Sequence, residues 1–313
     1  SERLSKNSIL YYLKKLIIPT ILSLVFVAFS RSYLGIVIYS IWFEGFFIAY
    51  ISSKTYPVDN GINLSKKNKE FIIEEAKKIW GYFNDFCNEE NNYLPPDNYQ
   101  ESPLGIVAAR TSPTNIGLAI LNMLCARDFG FINTFELYEK LDKTISTIEK
   151  MEKWNGHLYN WYSTTDLSIL RPGYISTVDS GNFYASVVTL IEGLKEYVVE
   201  DDRLWSIIGR LQKLIDNMSF DILYNKKNNM FYIGYDTEKE SFGENYYDML
   251  MSEARITSYI AVCRKEVPLK HWFNLARLLS SKDGYIGLTS WTGTMFEYFM
   301  PQIFLPYFKG SLI

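Results

Sequence analysis

The chain has 313 residues, 48% of them hydrophobic and 16% aromatic, enough to bury one large domain and something smaller. A net charge of -3 and a pI near 5.6 leave no basic field, so no nucleic-acid partner is expected. His157 and His271 stand far apart, and Cys87, Cys125 and Cys263 show no paired spacing. That pattern argues against a zinc site, a disulfide framework and a Ser-His-Asp triad, so no metal or cofactor is expected, and the cysteines read as reduced, mostly buried thiols.

The chain starts at Ser1, not Met, and enters apolar sequence at once, which reads as a piece of a longer polypeptide. From Leu16 to Ser52 the only formal charges are Arg31 and Glu44. LIIPTILSLVFVAF (16–29) falls short of the about 20 residues a hydrocarbon core requires, whereas YLGIVIYSIWFEGFFIAYI (33–51) comes close. Residues 1–56 are therefore expected to be transmembrane or membrane-associated, as a hairpin or as one crossing with a partner in the interface. A buried hairpin of a soluble protein is the competing reading. Lysines flank both ends, which leaves orientation open, and Glu44 should sit near an interface or face protein. Residues 57–65, with Pro57 and Gly61, read as a linker.

Residues 66–313 read as a second, helical domain. Phe71, Ile72, Ala76, Ile79, Trp80 and Phe83 recur at helical spacing behind Ser65, a candidate N-cap. The next stretch, NNYLPPDNYQESP, is held extended by its prolines and presents Asp97 on a loop, suited either to sugar hydroxyls or to turn chemistry. Behind Arg110, Ser112 or Thr114 caps a helix apolar on most of its surface, and an amphipathic helix follows from Thr134 to Met151. Arg110 itself must meet a carboxylate or reach solvent.

Residues 156–182, GHLYNWYSTTDLSILRPGYISTVDSGN, bring Trp161, Tyr162, Asp166, Arg171 and Asp179 into one turn-rich segment. Aromatic faces beside hydrogen-bonding groups suit a sugar, although the same residues could cover neighbouring helices. Asp179 falls at the start of the next apolar helix, as an N-cap or in its field. A weak hairpin over 225–248 and a third apolar helix, 246–265, follow. Glu253 on that helix is either an ion pair with Arg255 or Arg110, or a reactive acid. An amphipathic partner over 267–279 and a loop-then-helix segment presenting Trp291 and Glu297 complete the pattern. Alternation of buried and amphipathic helices is that of an α/α barrel.

The strings LPPDNYQESP, RTSPTNIGL, ARDFGFI, GHLYNWY, ISTVDSGN, YYDMLMSEARITSYIAV, VPLKHWF and SWTGTMFEYFMP, in this order, resemble the middle region of cyclic β-1,2-glucan synthases. The resemblance covers residues 60–313 and implies an all-α (α/α)6 toroid, incomplete at its C-terminus and preceded by membrane helices. It further implies a glycosyltransferase before this region, a phosphorylase-like part after it, and an inner-membrane location with the soluble domain in the cytoplasm. The implied reaction is retaining transglycosylation that closes a β-1,2-glucan chain into a ring, using two carboxyl groups about 5 Å apart.

On this resemblance Glu253 is the nucleophile, and Asp179 matches an aspartate of endo-β-1,2-glucanases with an acid/base or substrate role. The family's other glutamate belongs to a Trp-Gly-Ile-Ser-Glu stretch that does not occur before Ile313. Asp97, Arg110, Trp161, Tyr162, Trp291 and Glu297 are the expected substrate contacts. A β-1,2-glucan hydrolase, a non-catalytic glucan-binding module and a structural membrane-anchored domain are the alternatives.

Overall fold

The computed structural model describes residues 12, 14–52 and 64–306, and these form two compact units that divide between 52 and 64. Most of the 57–65 linker lies outside the described residues.

The first unit holds α1 (Ile17–Phe29), α2 (Tyr33–Phe43) and α3 (Gly45–Ser52). Helices α1 and α2 pack as a hairpin, with the Phe26 and Tyr39 rings stacked at 5.0 Å. The hydroxyls of Thr20 and Ser23 are buried and bond backward to the carbonyls of Leu16 and Thr20, which satisfies them inside an apolar helix. Residues 33–51 are long and apolar enough to cross a membrane, and none of this span is buried in protein. A single turn at Glu44 separates α2 from α3.

The second unit is built on α4 (Lys66–Phe86), α5 (Pro113–Asp128), α6 (Thr134–Lys150), α7 (Thr177–Leu194), α8 (Leu204–Asp216), α9 (Arg255–Cys263), α10 (Lys270–Asn274) and α11 (Met295–Phe299). Ser65 caps α4 as expected, and Ser112 rather than Thr114 caps α5, with Pro113 in its first turn. An Asn133–Glu136 capping box starts α6. Helices α5, α7 and α9 pack in sequence, while α4 and α6 lie on α5, and α8 lies on α7 and α6. This is an inner series backed by an outer one. Arg210 of α8 clamps the outer pair by donating to Ser146 at 2.8 Å and to Glu149 at 2.8 and 3.0 Å on α6.

Short antiparallel strand pairs occupy the connections, so the unit is mainly but not wholly helical. Residues 110–111 pair with 162–163, and 174–176 pair with 234–236. Two expected helices differ. The 246–265 helix begins only at Arg255, because Tyr246 and Tyr247 pair with Tyr232 and Phe231, and Met249 bridges to Ala276. The 267–279 helix stops at Asn274, where Arg277 donates to the carbonyls of Trp272 and Leu275 at 2.9 and 2.6 Å. Residues 279–282 and 285–288 then form a hairpin closed by Asp283 and Gly284, both at positive φ. Of the cysteines, Cys87 is half-buried while Cys125 and Cys263 are exposed, which corrects the expectation of mostly buried thiols. Both histidines serve the core: His157 bonds the Ser219 carbonyl at 2.9 Å, and His271 lies between Ser258 and the Asn229 carbonyl.

The inner helices cross where side chains are smallest. A Cβ on Gly117 of α5 would meet Ser186 Oγ at 2.7 Å, and one on Gly181 of α7 would meet Thr257 Oγ1 at 1.9 Å and its Cα at 2.9 Å. Inside a helix Gly→Ala ordinarily stabilises by about 1 kcal/mol. Here overpacking reverses the sign, and Gly181→Ala is expected to destabilise by about 1–3 kcal/mol in a urea titration of the full chain in detergent. A neutral or stabilising effect would show that α7 and α9 are not in contact at this point.

Candidate active site

The α7–α9 crossing brings the start of each helix to a common place. Ser176 caps α7 by accepting from the Asp179 backbone N–H, so Asp179 lies in the first turn and not at the cap itself. Its Oδ1 accepts from Thr114 Oγ1 at 2.6 Å. With the Asn160 amide oriented by its neighbours, Asp179 Oδ2 accepts from Asn160 Nδ2 at 3.2 Å, and Asn160 Oδ1 accepts from Trp161 Nε1 at 3.2 Å. Both Asp179 oxygens therefore act as acceptors. One turn further along, Asn182 donates to Thr114 Oγ1 at 3.1 Å.

Glu253 sits in the turn just before α9, not on the helix, and its carbonyl accepts from the Ile256 N–H at 3.1 Å. Burial pushes its carboxyl up to about 7, and the nearby Asp179 charge adds to the rise; a hydrogen bond with Asn182 opposes it, and Glu297 adds a smaller repulsion. Burial, then the charges of Glu253 and Asp179, likewise push the Tyr247 phenol up. Asp179, Glu253 and Tyr247 thus share one electrostatic neighbourhood, in which the Glu253 carboxyl and the Tyr247 phenol are both pushed up.

Arg110, Asp97 and Trp161 form the next layer. Pairing of Arg110 with Ser163 and of Thr111 with Tyr162 carries Arg110 to Trp161, where the guanidinium lies 4.7 Å from the indole centroid. Arg110 also donates to Asp97 Oδ2 at 2.9 and 3.2 Å, and Asn115 donates to Asp97 Oδ1 at 3.3 Å. A continuous polar path therefore runs Asp97, Arg110, Trp161, Asn160, Asp179, Thr114, Asn182. Trp291 stacks on Tyr247 at 5.7 Å, donates to Asp248 at 2.9 Å, and keeps 46% of its surface exposed.

Two expected substrate contacts are corrected. Tyr162 is fully buried; its hydroxyl donates to the Glu152 carbonyl at 2.6 Å and accepts from the Tyr159 N–H at 2.8 Å, so it fixes a loop and offers no ligand surface. Glu297 is buried in a capping box with Thr294. Burial alone would raise its acid, but hydrogen bonds from Thr292, Thr294 and Ser290 hold it down to about 2, which makes it the anchor of the 290–294 loop. Nor does Glu253 pair with arginine. Arg110 is held by Asp97, and Arg255, 1% exposed, lies against Met251 Sδ at 3.3 Å with no ion pair among the described residues. The site roles of Thr114, Asn160, Asn182 and Tyr247 are not legible in the sequence, where Thr114 reads only as an alternative to Ser112 as the cap of α5.

Comparisons with known proteins bear on the fold and on the family resemblance. No family model matches the chain. It is 26% identical over 403 aligned residues to the cyclic β-(1,2)-glucan synthase NdvB of Rhizobium meliloti, an alignment that takes in 90% of the chain and 14% of that protein. The chain resembles part of a cyclic β-1,2-glucan synthase. It therefore spans about one-seventh of the length of that relative. Among solved structures, a glucoamylase-like protein from Bacteroides fragilis superposes with a TM-score of 0.59 at 14% identity, covering 76% of this chain and 58% of that one. An endo-β-1,2-glucanase from Chitinophaga pinensis, solved with sophorotriose and glucose, gives 0.57 at 16% identity over 74% and 57%. That of Talaromyces funiculosus with sophorose gives 0.53 at 10% over 69% and 54%. The second unit carries a glucoamylase-like, mostly helical fold.

An acid held near 7 in the fold and near 4.5 when unfolded binds a proton more readily folded, so the fold weakens as pH rises from about 4.5 to 7. Glu253→Gln is therefore expected to stabilise the chain at about pH 8, by an amount on the order of 3 kcal/mol at most, and to change nothing below about pH 4.5. Urea titrations across that range read the difference. A variant less stable than the parent at the alkaline end would mean that Glu253 is not held in a desolvated place.

Proposed function

We propose that the second unit is the carbohydrate-active part of a cyclic β-1,2-glucan synthase, a glycoside hydrolase-type transglycosylase acting on β-1,2-glucan chains. The observation that carries this reading is the pairing of Glu253, held near neutrality by burial and by Asp179, with an Asp179 whose oxygens are both engaged as acceptors. The similarity to NdvB and the fold shared with endo-β-1,2-glucanases support the substrate class.

In this reading Asp179 attacks the anomeric carbon while Glu253 gives its proton to the departing glycosidic oxygen, leaving a glycosyl ester on Asp179. Glu253, now ionised, takes the proton from the 2-hydroxyl at the chain's own far end, and that oxygen displaces Asp179 to close the ring. Atoms and charge balance over the two steps. These roles reverse those implied by the family resemblance, in which Glu253 attacks; electrostatics favour the proton donor for the acid at about 7. Trp161, backed by Arg110 and Asp97, and the Tyr247–Trp291 stack supply the aromatic faces that a glucosyl ring requires. Admission of water in place of the sugar hydroxyl would give an endo-β-1,2-glucanase, the second reading, which the solved glucanase folds favour.

The same proposal assigns the domain limits: residues 1–56 membrane-associated, 57–65 linker, and 66–313 part of an (α/α)6-type toroid. Span 33–51 crosses the inner membrane and the toroid faces the cytoplasm, between a glycosyltransferase and a phosphorylase-like part of the parent polypeptide.

Linear β-1,2-glucan incubated with the chain and resolved by mass spectrometry tests the proposal. Rings, 18 mass units lighter than linear chains of the same length, mark transglycosylation, and shorter linear products mark hydrolysis. Glu253→Gln and Asp179→Asn should each lower turnover by roughly a thousandfold or more. Parental turnover in either variant would remove that residue from the chemistry. Trp161→Ala should raise KM roughly tenfold and leave kcat close to parental.

A further inference from the structure

A second set of aromatic and polar side chains lies on the other face of the strand pair that leads into α7. In that pair Tyr235 stands opposite Ile175, whereas Gly234 and Asp236 stand opposite Ser176 and Tyr174. Side chains alternate across a strand, so Tyr235 points away from the Tyr174 side. Tyr174 is the side that communicates with Tyr247 and its two carboxylates. The strand pair therefore separates Tyr235 from the candidate active site.

On the Tyr235 side is a cavity of about 590 Å³, lined by Trp154, Tyr159, Arg171, Tyr235, Glu238 and Glu240. Its volume falls within the roughly 300–1,000 Å³ typical of small-molecule sites. Trp154 and Tyr235 stack on each other at 4.6 Å with their planes 25° apart and Phe242 packs on Tyr235 at 4.8 Å, so the lining is a fixed aromatic cluster. The polar rim is tied down. Arg171 donates to Glu238 at 2.7 Å, the same oxygen accepts from the Gly173 N–H at 3.1 Å, and Thr237 donates to the Gly173 carbonyl at 2.9 Å. Asp236 accepts from the N–H groups of Glu238 and Lys239 at 3.0 Å each, which fixes the turn carrying Glu238 and Glu240. Preorganised aromatic faces beside carboxylates and a guanidinium match a glucosyl ring, apolar across its C–H faces and hydroxylated at its edge.

We propose that this cavity is a second carbohydrate-binding site, distinct from the carboxylate centre, that holds glucosyl units of a glucan chain while another part of the chain reacts. The ligand class rests on the reading given under Proposed function. Stacking tolerates different linkages, so binding at this cavity is separable from turnover of β-1,2-glucan.

Calorimetric titration of the full-length Glu253→Gln chain with a β-1,2-gluco-oligosaccharide too short to bridge both places should give two sites per chain. Trp154→Ala in that background should leave one site, or weaken the second by roughly tenfold or more. Because Trp154 also packs against the core, the exposed rim pair Arg171→Ala/Glu240→Ala is the second variant, with the same loss expected and folding unchanged. If Trp154→Ala does not fold, the rim pair decides. Parental two-site binding in the folded variants overturns the proposal, as does a single site in the parent insensitive to them. Parallel titrations with β-1,3- and α-1,4-gluco-oligosaccharides keep the two readings apart. Binding there that depends on Trp154, without Glu253-dependent turnover of β-1,2-glucan in the otherwise unmodified chain, would uphold this site while refuting the assigned function. Turnover without any Trp154-dependent binding would do the reverse.

Discussion

The site depends on how closely α7 can approach α9. Gly181 offers no Cβ, and Thr257 fills the space and bonds back to the Thr177 carbonyl at 3.1 Å. With that spacing, the first turn of α7 and the turn ahead of α9 lie side by side, so Asp179 and Glu253 feel each other's charge. A side chain at 181 would part the two helices and, with them, the two acids. Small residues are a packing device in most helix pairs; here the same device sets the electrostatics of a carboxylate pair.

The two acids stand in different surroundings, and only the carboxyl of Glu253 is pushed up, first by burial and then by Asp179. Asp179 accepts from two elements, Thr114 of α5 and Asn160 of the loop ahead of α7, and it lies in the first turn of its own helix, where the dipole favours negative charge. Glu253 is poorer in donors and deeper in apolar surroundings, beside Leu250 and Met251 of a small buried cluster. Asn182 touches both sides of the arrangement, through Thr114 and through Glu253, so its single amide couples the two acids. The rise at Glu253 comes from its placement and not from its residue type.

Much of this was legible in the sequence, for identifiable reasons. Helices α5 and α7 are legible because they are apolar on most of their surface, and the Ser112 cap of α5 is too, whereas α7 begins at Thr177 behind Ser176, ahead of the start its apolar run suggests. Glu253 stands out as an acid among apolar residues, and Asp179 by its place at the head of an apolar helix. What failed was anything decided by a distant strand. Tyr246, Tyr247 and Met249 are apolar enough to extend a helix, yet pairing with residues 231–232 and 276 draws them out of it. Tyr162 looked like a sugar platform beside Trp161, but adjacent strand residues face opposite ways, and the pairing at Thr111 sends Tyr162 inward. The Asp283-Gly284 hairpin has a readable two-residue turn signal, which the expected helix over 267–279 and loop from 287 leave unassigned. Thr114 and Asn160 carry no signal of their own, since their roles exist only once α5, α7 and the intervening segment are brought together.

The difference between opening a glucan chain and closing it into a ring lies in the acceptor, not in the carboxylates. An acid poised near 7 can give its proton to the leaving oxygen and regain one from the incoming hydroxyl at the same pH, which a two-step transfer requires of a single group. Water meets that requirement as well as a sugar does, so the chain's own end wins only if it is held close at high effective concentration. Aromatic faces at Trp161 and Trp291 can fix the reacting units. A further hold on the opposite side of the 174–176 strand would keep the remainder of the chain from diffusing away. On the proposed reading, ring closure is then a matter of tethering one polymer at two places around an otherwise ordinary pair of acids.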